Sequence, residues 1–126
     1  MNKRELGSEG EQIASNFLKN KGFKIVGKNW TSRWCEIDLI TVEDNVLVFI
    51  EVKYRKNLKY GSGIEAITAK KMKALVYSAN KYISRNKLYR LKYRIDVVVI
   101  DVIDEKKEIK YFRNITDYFL STRGRV

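Results

Sequence analysis

The chain has 126 residues, 44% of them hydrophobic, which suits one domain (residues 1–126) with one core and excludes a disordered chain. Lys and Arg total 26 against 15 acids, a net charge of +11 that favours a polyanion partner, most often nucleic acid, over an inert basic surface or anionic lipid. A single cysteine and no histidine exclude an internal disulfide, the usual zinc sites and any His-dependent triad, so chemistry here must draw on carboxylates, Lys, Tyr, Ser/Thr or a hard metal.

No apolar segment follows the basic residues of the N-terminus, and no apolar run approaches a membrane span, so a cytoplasmic location is expected. In chain order, Leu6, Gly10, Ile13 and Phe17 recur at helical spacing and predict a helix over about Glu5 to Asn20, stopped by Gly22. Phe23 to Asn29 reads as a first strand. Trp34 to Val42 and Val46 to Tyr54 read as the next two, joined through Asp44-Asn45. After a basic, glycine-bearing loop, Thr68 caps a second helix running to about Asn86, with Met72, Leu75, Val76, Ala79, Tyr82 and Ile83 on its buried face. Tyr93 to Ile103 is a strongly apolar strand, Glu108 to Arg113 a last strand, and Ile115 to Leu120 a short terminal helix. The order α-β-β-β-α-β with a short β-α tail predicts an α/β fold, a central mixed sheet covered on its faces.

Glu36, Asp38, Glu51 and Lys53 interrupt the apolar runs of the second and third strands, where charges are costly unless paired or bound to a cation. A two-residue Asp44-Asn45 turn would pair Glu43 with Val46, and counting back sets Asp38 opposite Glu51 and Glu36 opposite Lys53, on one face. Two opposed carboxylates repel unless a proton or cation intervenes. A hard cation such as Mg2+ takes carboxylate oxygens, and Lys53 would orient a nucleophile or steady a phosphate's charge. With the positive charge, this describes phosphodiester cleavage. The alternative is a structural ladder, Glu36 to Lys53 and Asp38 to a neighbouring Arg. For Glu11 two roles stand side by side. Ser8-x-x-Glu11 fits a capping box, while Glu11 also lies at the edge of the buried stripe and could add a carboxylate to the site.

The motifs G-x-x-G-E-x-x-A (Gly7, Gly10, Glu11, Ala14), Asn29-Trp30, E-I-D-L-I (Glu36 to Ile40), F-I-E-V-K-Y-R (Phe49 to Arg55), Gly61, Lys70-Lys71 and R-I-D-V-V (Arg94 to Val98) span nearly the whole chain. In this combination the chain resembles the YraN-like family of bacterial endonuclease-like proteins, related to archaeal Holliday-junction resolvases. The resemblance implies the restriction-endonuclease-like αβββαβ core of the PD-(D/E)xK nucleases. It implies Asp38 and Glu51 as metal ligands and Lys53 as the catalytic lysine, and it draws Glu11 into the same Mg2+ (or Mn2+) site. Cys35 departs from the glycine that usually precedes E-I-D.

Beyond the acids, Arg55, Lys56, Lys59 and Tyr60 directly follow the third strand and are expected to track a phosphate backbone, against the alternative of a solvated loop. Lys70 and Lys71 open the second helix, where both phosphate binding and plain exposure are open. Asp96 is expected to be structural, paired with Arg94; Cys35 is expected to pack; Trp30 and Trp34 are undecided between core and rim. The expectation is a metal-dependent endonuclease-like protein acting on DNA, with branched and single-stranded DNA as candidate substrates and a homodimer left open. Its rivals are a non-catalytic nucleic-acid-binding module on the same fold and a basic scaffold for a protein partner.

Overall fold

The computed structural model describes residues 3–56 and 63–117. Helix α1 (Lys3–Asn20) leads into strands β1 (Lys24–Thr31), β2 (Glu36–Glu43) and β3 (Val46–Arg55). A 3-10 turn at Ile64–Ala66, helix α2 (Ala69–Arg85) and strands β4 (Lys92–Ile103) and β5 (Lys106–Phe112) follow. The five strands form one sheet in chain order; β3 and β4 run parallel and the other neighbours antiparallel. This is the expected mixed α/β sheet with the αβββαβ core.

Local chemistry accounts for the boundaries. α1 ends in a Schellman arrangement: Gly22 takes φ 94, Phe23 N–H donates to Leu18 O and Gly22 N–H to Lys19 O, both at 3.0 Å. Thr68 caps α2, its hydroxyl accepting from Lys71 N–H at 3.0 Å. Asp44 and Asn45 have φ 49 and 64, the double left-handed conformation of a type I′ turn, and Glu43 pairs with Val46 as the turn requires. Asp104 and Glu105 repeat that geometry at the β4–β5 turn, so β5 starts earlier than the sequence suggests. Of the expected terminal helix, Ile115 to Asp117 are helical and residues 118–120 lie outside the described residues.

Each helix covers one sheet face. On the α1 side Ala14, Leu18 and Phe23 pack with Leu39, Val48, Ile50, Val98 and Ile100. On the α2 side Met72, Leu75, Ala79 and Ile83 pack with Ile40, Phe49, Ile95, Val97 and Val99. A Cβ on Gly10 would stand 3.2 Å from Cβ and Cδ2 of Tyr54, so glycine there lets α1 lie close on β3. Asp96 is structural, as expected. It accepts from Arg94 Nε at 3.1 Å, from Asn114 N–H at 2.8 Å and from the Tyr111 hydroxyl, which clasps β4 to β5 and the tail.

Candidate metal centre

The site forms where the β2–β3 hairpin stops pairing. The ladder runs from Glu43–Val46 to Leu39–Ile50, and at the next step the Asp38 carboxylate, through Oδ2, accepts from Val52 N–H at 2.7 Å in place of a backbone oxygen. Strict alternation would put Ile37 and Leu39 on one face, yet Ile37 joins the α2-side cluster and Leu39 the α1-side cluster. Beside this irregularity on β1, Asn29 adopts φ 51, a left-handed conformation that asparagine tolerates. Its Nδ2 donates to Glu11 Oε1 at 2.7 Å and to Glu36 Oε1 at 2.8 Å. Carboxylate oxygens of Glu11, Glu36 and Asp38 thereby lie within 4.8 Å of one another.

Glu51 completes the group from the α2 side. It is 4% exposed, and its Oε2 makes no hydrogen bond, although Lys71 Nζ lies 3.2 Å away in an ion pair. Burial pushes the Asp38 carboxyl up to about 9, helped by a hydrogen bond to Glu51 and by the charges of Glu51 and Glu11, and opposed by the Val52 N–H. Burial and the neighbouring acids thus favour the protonated form of Asp38 where no cation offsets their charge. Burial works against the Lys71 ammonium, but Glu51 more than offsets it and holds the group above the ordinary lysine range.

The structure brings Glu11 and Asp38 together with Glu36, which the hairpin count had set against Lys53, while Glu51 lies against Asp38 outside that group. Among the described residues Glu36 and Asp38 pair with no Lys or Arg within 4.0 Å, so the structural ladder is not formed. The capping-box role for Glu11 also fails, because α1 already begins at Lys3 and Ser8 lies inside it. Lys53 is half-buried, two residues beyond Glu51 on β3, and makes no ion pair among the described residues. Asn29, which bridges two acids, had no assigned role in the residue reading; the only sign of it was its place in the Asn-Trp motif.

The basic residues divide. Arg55 is corrected: it is 9% exposed, and its Nε and second guanidinium nitrogen hold the two carboxylate oxygens of Asp101 at 2.7 and 3.1 Å. β3 and β4 are in register at this pair, so its alternation turns Arg55 inward, away from a phosphate backbone. Lys71 is likewise committed, to Glu51. Lys56 and Lys70 are exposed, whereas Lys59 and Tyr60 lie outside the described residues. No helix among the described residues is long and apolar enough to cross a membrane.

Fold and site together define a small α/β domain of restriction-endonuclease-like layout with four carboxylates at the splayed end of its central hairpin. The chain belongs to the family described as uncharacterised protein family UPF0102, whose model matches residues 10–100. It is 36% identical over 118 residues to a UPF0102 protein of Carboxydothermus hydrogenoformans, covering 94% of this chain and all of the relative. A UPF0102 protein of Chloroherpeton thalassium is 43% identical over 113 residues (90% of this chain, 87% of the relative). A third, of Caldicellulosiruptor saccharolyticus, is 41% identical over 116 residues (90% and 98%).

Proposed function

We propose that this protein is a metal-dependent endonuclease that binds DNA and hydrolyses its phosphodiester bonds, with branched or single-stranded DNA as substrate. The observation that carries the reading is the convergence of Glu11, Glu36 and Asp38, with the buried Glu51 against Asp38 and ion-paired to Lys71. An all-carboxylate donor set suits a hard divalent cation such as Mg2+ or Mn2+. Glu11, Asp38 and Glu51 would hold it, with Glu36 as a further oxygen donor. When bound, such an ion lowers the pKa of a coordinated water and stabilises charge on a phosphate. A cation held there would offset the charge that otherwise favours a proton on Asp38. Lys53 is the cation left to orient the attacking water or to neutralise the phosphate oxygens, because Lys71 is engaged by Glu51. The sequence resemblance to nuclease-like proteins and the net charge of +11 support a nucleic-acid substrate.

One observation favours the non-catalytic binding module. The Asn29 amide donates to one oxygen of Glu11 and one of Glu36, a structural use of those acids. A nicking assay on a panel of DNA shapes with Mg2+ or Mn2+ separates the two readings. The endonuclease reading expects cleavage by the wild type and none by Asp38→Asn or Lys53→Ala, with DNA binding retained in both. Binding without cleavage of any substrate at saturating metal assigns the protein to the binding module.

A further inference from the structure

On the α2 side lies a groove of about 350 Å³ lined by Trp30, Thr31, Ser32, Arg33, Trp34, Lys81 and Arg85. We infer that this groove, with Tyr77 beside it, is a stacking platform for the unpaired bases of a single-stranded nucleic acid. The inference deepens the nucleic-acid reading above and rests on it.

Three features carry it. The first is exposed aromatic surface at one place: Trp34 is 39% exposed and Tyr77 43%, their centroids 5.6 Å apart and their planes 48° from parallel, so the two rings are not stacked on each other. Aromatic faces of this kind stack nucleobases without sequence preference. The second is charge. Arg33 lies 5.4 Å from the Trp34 centroid and Lys73 5.7 Å from that of Tyr77, and no acid lines the groove. Among the described residues Arg33, Lys73, Lys81 and Arg85 take part in no ion pair, unlike Arg55 and Lys71. Lys73, Tyr77, Lys81 and Arg85 recur every fourth residue and make a stripe about 18 Å long on α2. Such a stripe follows several phosphates of one strand.

The third feature is preorganisation. The β1–β2 loop that presents Arg33 and Trp34 is pinned to α2 through Ser78, whose hydroxyl meets Ser32 Oγ at 2.6 Å and Cys35 Sγ at 3.3 Å. Ser32 Oγ also accepts from Trp34 N–H at 3.1 Å. A loop held in this way loses little freedom when a base stacks on Trp34. Trp34 is two residues from Glu36, at most about 7 Å between Cα atoms, so the groove and the acids share the β1–β2 connection.

The test uses the full chain in EDTA, with Trp30→Phe so that Trp34 is the sole tryptophan, excited at a wavelength the tyrosines do not absorb. Oligo(dT), an abasic oligonucleotide of equal length and a blunt duplex are titrated in turn. Oligo(dT) should quench Trp34 and bind more tightly than the abasic strand. Trp34→Ala and Tyr77→Ala should each weaken oligo(dT) binding by about 5- to 100-fold, the weight of one stacked base, and change duplex binding less than about twofold. Equal affinity for the abasic strand, or unquenched Trp34 fluorescence at saturating oligo(dT), overturns the platform and leaves a simple anion patch. Quenching by a protein that never nicks DNA keeps the platform and removes the catalytic reading. Nicking without quenching does the reverse.

Discussion

Asp38 accepts from Val52 N–H and lies against Glu51, so asparagine can replace it with both contacts kept and one titrating group removed. Its folded pKa, pushed up to about 9 from 3.8, favours the protonated form in the fold. The stability linked to it is full below about pH 4 and is lost as pH rises toward 9, by at most about 1.4 kcal/mol per pH unit. Metal-free wild type should therefore lose stability relative to Asp38→Asn between pH 5 and 9, as read from urea midpoints at each pH. A constant difference would mean that Asp38 is ionised without a cation. Arg55 obeys a different rule, since its charge is buried against Asp101. Arg55→Ala should cost about 2–3 kcal/mol, moderated by Lys110, which lies 3.3 Å from Asp101 and still pairs with it. An unfolding free energy within about 0.5 kcal/mol of wild type, on the ordinary scale for surface changes, would return Arg55 to the surface. Neither Arg55's burial nor Lys71's engagement was legible in the sequence. A basic residue at a strand end or helix start reads as exposed until the register of the parallel β3–β4 pair and the approach of α2 are known.

The secondary elements were far more legible than their ends. The apolar periodicity of α1 and α2, the Thr68 cap, the Gly22 stop and the Asp44-Asn45 turn each have a local cause, and each was found. The start of β5 was missed because Asp104-Glu105 lacks the glycine that marks most such turns, and the charged run after it has no alternation. α1 shows how an element positions chemistry. Gly10 lets it lie against Tyr54, and one residue later Glu11 reaches Asn29. Gly10→Leu should push the helix off β3, cost about 1–3 kcal/mol through overpacking, and weaken Mn2+ binding. Gly7→Leu is its control, since a Cβ there meets nothing within 4 Å. Equal effects of the two changes on Mn2+ binding would detach the metal site from the close approach of α1.

At the scale of the molecule, the chain carries a net charge of +11 and the site is built from acids, and the proposed cation would reconcile those acids with a phosphate backbone. DNA affinity should fall steeply with salt, with a log-log slope set by the number of phosphates neutralised, and Asp38→Asn should leave that slope unchanged. A flat slope would assign the basic surface to another partner. The central claim is that Glu11, Asp38 and Glu51 hold a divalent cation, and melting with and without Mn2+ tests it most directly. At 100 times its dissociation constant the ion should stabilise the wild type by about 2.7 kcal/mol, and it should leave Asp38→Asn and Glu51→Gln unmoved. A wild-type melting temperature indifferent to Mn2+, with Asp38→Asn melting well below it, would contradict the account and make the carboxylate structural.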